Sequence, residues 1–172
     1  MTFFSGFSLR NEAALFEEYL GEWRQNPYVV AGFSYGAIKA AEYVSHTRKR
    51  VDRLLLLSPA YFLGRPKAFK KAQKIHYRKD PEAYLETFLK NAAFPSSLDL
   101  KPFLGPSSFE DLESLLDYPW PDTLFETLDE KGVKVETFLG GRDRIVDASA
   151  AHDFFRRHTT SYLFKPFGHL LR

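Results

Sequence analysis

The feature that most constrains this chain is a short run ending in Gly32-Phe33-Ser34-Tyr35-Gly36. An apolar stretch, YVVAGF, leads into the G-x-S-x-G, and a small-residue segment, GAIKAAEYV, follows it. The first part (Tyr28 to Phe33) reads as a buried strand. The last reads as a helix over Ala37 to Ser45, with Ile38, Ala41 and Val44 in step. A serine placed between them sits on a sharp turn that lifts its hydroxyl above the sheet. Glycine is needed two residues before and two after, because strand and helix must approach where a side chain would collide. The helix N-terminus also points positive partial charge at the serine. By composition alone the five-residue pattern arises in roughly one chain in twenty of this length. The strand before it and the helix after it are what make it specific.

The rest of the chain continues the alternation. Thr2 to Ser5 reads as a first strand. Asn11 is placed to cap a helix running to about Trp23, with Ala14, Leu15, Tyr19 and Leu20 on one face, and Asn26-Pro27 ends it. Val51 to Leu57 is a third strand, stopped by Ser58-Pro59. Val133 to Leu139 is a fourth, stopped by Gly140-Gly141. Residues 147–157 read as a helix, and Ser161 to Phe164 as a fifth strand. Strands alternating with helices imply an α/β fold with a parallel sheet. Residues 61–121 break the rhythm with Pro66, Pro81, Pro95, Pro102, Pro106, Pro119 and Pro121. They read as short helices joined by turns, an insertion over the carboxyl end of the sheet.

At 172 residues the chain is expected to form one domain, core 1–60 and 122–172 with the insertion 61–121. There is no Cys, which excludes disulfides, thiolate metal sites and Cys nucleophiles. The 24 Lys+Arg against 22 Asp+Glu argue against a general nucleic-acid binder. No apolar run is long enough to span a bilayer, and the first residues lack the pattern of a signal peptide, so a cytoplasmic chain is expected. The 17 Phe and 9 Tyr call for an apolar cavity or lid as well as a core.

A serine hydroxyl is a weak nucleophile that needs a base, and the base needs an acid to orient it. Asp143 lies in the turn after the fourth strand (GGRDRIVD), while Asp147 reads as the N-cap of the next helix. His169 follows Gly168 after the last strand. The order Ser34, Asp143, His169 therefore makes a nucleophile, acid and base set that requires neither metal nor cofactor. His46, His76, His152 and His158 fall on predicted helices or their ends and read as surface residues without metal-ligand spacing. An acyl transfer also needs oxyanion donors. The backbone N–H of Tyr35 is one, and the loop Ser5-Gly6-Phe7 offers the N–H of Phe7 as the other.

This strand, turn and helix with the Ser, Asp, His order resembles the α/β-hydrolases over the whole chain, in a shortened form. In the family's strand numbering the resemblance implies a reduced, mostly parallel five-stranded sheet of order 3-5-6-7-8 in a three-layer fold, with a helical lid. It leaves the first strand as an edge. The compact form is similar to the BioV-type esterases of biotin synthesis. The matching pieces are the FFSGF start with Asn-Glu soon after, GFSYGAIKA, LLLLSP, the LLDY at Leu115–Tyr118, EKGVKVETF, GGRDRIVD and GHLL. The resemblance implies hydrolysis of the methyl ester of pimeloyl-acyl carrier protein, freeing methanol. A thioesterase or small-ester hydrolase of the same fold, and a catalytically silent fold used as a binding module, stand as alternatives.

Two expectations concern the insertion. Its aromatics, among them Phe62, Phe69, Tyr84, Phe88 and Phe94, are placed to wall an apolar channel over Ser34. Residues 65–79 (RPKAFKKAQKIHYRK) carry no acid. On a helix, Lys67, Lys70, Lys71, Lys74 and Arg78 fall on one arc, with Phe69, Ala72 and His76 opposite. The basic stripe is expected to face outward and dock the acidic acyl carrier protein implied by the resemblance, on a chain read as a monomer. The competing reading is internal: the acids from Glu110 to Glu130 neutralise the stripe.

Overall fold

A computed structural model describes residues 1–172. Five strands form one sheet in the order β1-β2-β3-β4-β5: β1 Thr2–Phe4, β2 Val29–Phe33, β3 Arg53–Leu57, β4 Lys134–Gly140 and β5 Thr160–Phe164. All four pairings are parallel, and β1 is an edge held in register by Thr2–Val30, Phe3–Ala31 and Phe4–Gly32. The sheet order matches the expected reduced sheet.

Period-two alternation in β2 and β3 sorts their side chains to opposite faces. Val30, Leu54 and Leu56 join a core with α2 (Tyr35–His46), α6 (Asp122–Glu130) and α7 (Ala148–Phe155). Val29, Ala31, Phe33, Leu55 and Leu57 join a second core with Phe16, Leu20, Leu170 and Leu171. The result is three layers. The helices leading into β3, β4 and β5 lie on one face, and the segment leading into β2 lies on the other. In a sheet whose strands follow in sequence order, the β1–β2 crossover therefore has the opposite hand to the other three, a departure from the usual uniform hand of parallel crossovers.

That segment corrects one expectation. The single helix from Asn11 to Trp23 is instead a 3₁₀ turn at Glu12–Phe16, a short α1 (Glu17–Leu20) and a second 3₁₀ turn at Gly21–Trp23. Asn11 makes no capping bond and sits in the left-handed region at φ 59°. Of the expected face only Leu20 is fully buried; Glu12 and Phe16 join it in place of Ala14, Leu15 and Tyr19.

The insertion folds as α3 (Lys67–Lys79), α4 (Pro81–Ala93), a 3₁₀ turn at Lys101–Phe103 and α5 (Phe109–Asp117). Asp80 caps α4 by accepting the N–H of Ala83, and Ser108 caps α5 through Asp111. Its far end is pinned to the sheet layer. Trp120 donates its indole N–H to Ala60 O at 2.9 Å, and the Tyr118 hydroxyl donates to Glu42 on α2. Burial, and then that carboxylate, push the Tyr118 phenol well above its ordinary pKa. No helix is long and apolar enough to cross a membrane.

Candidate active site

Ser34 lies where β2 gives way to α2, at φ 53° and ψ −116°. A non-glycine residue held there stores about 1–3 kcal/mol of strain, so its surroundings must over-determine it. They do. The Ser34 N–H donates to Leu57 O at 2.9 Å, and its carbonyl accepts from Ala37 and Ala60, both at 3.1 Å. The flanking glycines allow the close approach: a Cβ on Gly32 would stand 2.2 Å from Gly36 O, and one on Gly36 would stand 2.0 Å from Phe4 O.

His169 Nε2 lies 3.0 Å from Ser34 Oγ, and its Nδ1 lies 2.6 Å from Asp143 Oδ2. With Nδ1–H donating to the carboxylate, Nε2 is left to accept from the serine hydroxyl. The second Asp143 oxygen accepts the N–H groups of Ile145 (2.6 Å) and Val146 (3.0 Å), which fixes the carboxylate in its turn. The Asp143 and His169 side chains are fully buried, and the Phe33 ring lies 5.0 Å from the imidazole. The tail carrying His169 is tethered by the Tyr19 hydroxyl, which donates to Leu171 O at 3.0 Å. Asp147 takes no part in this relay; it caps α7 by accepting the Ala150 N–H at 3.0 Å.

The serine opens into a cavity of about 560 Å³ at the carboxyl ends of β1, β2 and β4. Phe7, Phe62, Phe69, Phe88, Leu112, Leu115, Leu116 and Ile145 give it an apolar wall, and Gln73, His76, Lys79, Asp80, Thr87, Asn91 and Arg144 make much of the rest polar. Tyr84 also lines it, its phenol pushed up to about 12 by burial. Phe94, expected as a wall, instead lies beneath the guanidinium groups of Arg142 and Arg144. The Phe7 N–H makes no hydrogen bond within the chain. The Tyr35 N–H belongs to the first turn of α2, where N–H groups have no intrahelical acceptor.

The basic stripe requires correction. Lys74 Nζ lies 2.7 Å from Asp117 and 3.1 Å from Glu113, both on α5, and these carboxylates raise its pKa. Lys70 lies 3.7 Å from Asp117, and Arg78 stacks over the Phe109 ring at 3.9 Å. Tyr77, on the same face of α3, is buried against Phe109 and Tyr84. Lys70 and Lys74 therefore face the acids of α5, as the internal reading has it, while Arg78 covers an aromatic ring of α5 and stays exposed. Lys67 and Lys71 remain exposed. Phe69 and His76 line the cavity as expected, and Ala72 does not. His158, read as a surface residue, is stacked on Phe125 at 4.5 Å.

Glu12 was not singled out by its chemistry. It is fully buried and accepts the Gly6 N–H at 2.7 Å. Its only sequence signal was a carboxylate four residues before Phe16 on the face that turns inward.

No protein-family model and no curated protein matches the sequence. Solved structures do match. An esterase, EaEST, from Exiguobacterium antarcticum superposes with a TM-score of 0.62 at 20% identity, over 89% of this chain and 63% of that one. MenH from S. aureus gives 0.60 at 14% identity, over 98% and 85%. BioG from Haemophilus influenzae gives 0.57 at 13% identity, over 98% and 87%. The chain thus spans 63% of the length of EaEST and more of the other two. At these identities the likeness is one of architecture: the chain has the α/β-hydrolase fold, with a five-stranded parallel sheet and a helical insertion over its carboxyl edge.

Proposed function

We propose that this chain is a serine carboxylesterase that hydrolyses the methyl ester of pimeloyl-acyl carrier protein, releasing methanol. The observation that carries the reading is the unbroken relay from Asp143 through His169 to Ser34, set in an apolar cavity. A silent binding module has no use for a buried carboxylate, imidazole and hydroxyl aligned in this way.

In this mechanism His169 Nε2 takes the Ser34 proton as Oγ attacks the ester carbonyl carbon. The N–H groups of Tyr35 and Phe7 stabilise the oxyanion. His169 then protonates the departing methoxide, and methanol leaves an acyl-enzyme. Water, deprotonated by His169, attacks the acyl carbon, and collapse of the second tetrahedral intermediate returns the proton to Ser34 and frees the acid. Asp143 accepts the Nδ1–H throughout and so keeps the imidazole aimed at Ser34.

The substrate rests on the resemblance to BioV-type esterases and on the fit of a polymethylene chain to this cavity. Each methylene buried there contributes about 0.8 kcal/mol. The carrier protein is proposed to dock through Lys67 and Lys71, which lie on the exposed edge of α3 without an internal ion-pair partner, and through Lys79 and the Phe94-stacked Arg144 at the cavity. The test is complementation of a biotin auxotroph that lacks its own pimeloyl-ester esterase. The chain should restore growth and Ser34→Ala should not. Growth restored equally by Ser34→Ala, or by neither while both accumulate as folded protein, rules the reading out.

A further inference from the structure

Glu12 is a carboxylate with no exposed surface, and it forms no ion pair. Its Oε1 accepts the N–H of Gly6 at 2.7 Å, and its Oε2 is buried with no hydrogen-bond partner in the chain. Burying an acid with half its capacity unused is costly, so packing does not explain its place. What it holds does.

Gly6 lies in the loop that leaves β1 and delivers Phe7 to the cavity. A Cβ on Gly6 would stand 2.9 Å from the Phe33 ring, so the position needs glycine for space. Glycine is also the residue whose backbone turns over most freely. If the Gly6–Phe7 peptide flips, the Phe7 N–H is replaced by the Gly6 carbonyl oxygen, which repels an oxyanion. One bond holds that peptide directly, and a second holds the peptide before it, fixing the Gly6 hinge. The Gly6 carbonyl accepts the Leu9 N–H at 3.2 Å, and the Gly6 N–H is held by Glu12. In a trans peptide the C=O and N–H point oppositely, so a Gly6 carbonyl turned to Leu9 leaves the Phe7 N–H facing away from that turn. The loop is held further along by Arg10 N–H to Phe103 O at 2.8 Å and Gly105 N–H to Ser8 O at 2.8 Å. Neither of those holds Gly6.

We infer that Glu12 is a positioning residue for the oxyanion site: by gripping the Gly6 N–H it fixes the Ser5–Gly6 peptide, and with it the Gly6 Cα about which the peptide carrying the Phe7 N–H turns. It touches neither substrate nor the reacting atoms. The inference rests on the hydrolase reading above and adds a residue to it. What matters is the acceptor and its reach, not the negative charge. Glu12→Gln keeps both. Glu12→Asp keeps the charge and loses the reach, and Glu12→Leu keeps the bulk and loses the acceptor.

The experiment measures kcat and KM for a small soluble ester with the full chain and these three variants, well below each variant's Tm. Inhibition by a boronic acid that forms a tetrahedral adduct with Ser34 is measured alongside. Glu12→Leu and Glu12→Asp should lower kcat by about 10²-fold, the scale of losing one oxyanion donor, with KM within a few-fold. Both should weaken the boronate by a similar factor. Glu12→Gln should restore kcat to within a few-fold of the parent. If one of the two damaging variants does not fold, the other decides. A role confined to stability predicts lowered Tm with kcat and boronate affinity intact, and that result overturns the inference. Equal impairment of Glu12→Gln and Glu12→Leu overturns it as well. A parent chain that hydrolyses no ester and binds no boronate overturns the hydrolase reading, and the inference with it.

Discussion

His169 meets Ser34 across 135 residues of sequence, its Nε2 3.0 Å from the serine Oγ. The two are delivered by different devices. Ser34 is fixed by a strained turn locked to the end of β3, and His169 by a tail tethered through Leu171 to Tyr19. Asp143 joins them from the turn after β4, so three strand ends converge on one hydroxyl.

Replacing Asp143 with Asn should leave the fold intact and remove the partner that selects the Nδ1–H tautomer. The amide can present its N–H to Nδ1, which moves the imidazole proton to Nε2, where it no longer accepts from Ser34. A loss of about 10⁴-fold in kcat is expected. Steady-state kinetics on a small ester checks it, with the fold verified by a Tm matched to the parent in scanning calorimetry. A variant that retains full activity would give the acid's role to another residue.

Charge reversal separates the two sides of α3. Lys70→Glu/Lys74→Glu places new acids beside Glu113 and Asp117 and should destabilise the insertion, by about 1 kcal/mol or more from pairs of this kind. It should impair small and carrier-bound esters alike. Lys67→Glu/Lys71→Glu, on the exposed edge, should raise KM several-fold for the carrier-bound ester alone, with the effect shrinking as salt rises. Parallel kinetics on the two substrates and a thermal melt of each variant distinguish these outcomes.

Burial of the Tyr84 phenol makes the fold lose stability at high pH. Its folded pKa is raised from 10.0 to about 12 by burial, so the unfolded chain releases this proton first. Stability from the neutral phenol is complete below pH 10 and is lost as pH rises toward 12. A two-unit shift corresponds to about 3 kcal/mol at most. Tyr84→Phe has no proton to lose, although it also forfeits the bond from the hydroxyl to Gln73 Oε1 at 3.0 Å. The stability advantage of the parent over Tyr84→Phe should therefore shrink between pH 10 and 12. Urea melts across that range measure it, and a constant difference would contradict it.

The sequence made the strands and the strand–turn–helix around Ser34 readable because their signals are local. All five residues of β2 are buried, so its apolar run is continuous, and the glycines mark the only places where two backbones could meet. Asp143 and His169 were readable because each follows a strand directly. Glu12 and the lysines of α3 were not, for one shared reason. A helical wheel gives the arc a residue occupies but not what faces it. Lys70 and Lys74 lie on one arc and meet α5, a partner some forty residues away in sequence whose position no local pattern fixes. Glu12 turns inward to satisfy a backbone N–H in a neighbouring loop, and with it the face predicted from Ala14 and Leu15 shifts to Phe16 and Leu20.

Ser34 is proposed to cleave the methyl ester and to spare the thioester that joins the acyl chain to its carrier. Intact-mass spectrometry of pimeloyl-acyl carrier protein methyl ester after incubation with the purified chain tests this most directly. The account predicts a carrier lighter by one methylene unit, with methanol released, and no change with Ser34→Ala. Carrier stripped of its whole acyl chain, or ester left untouched by a chain that is folded and labelled at Ser34 by a fluorophosphonate, would contradict it.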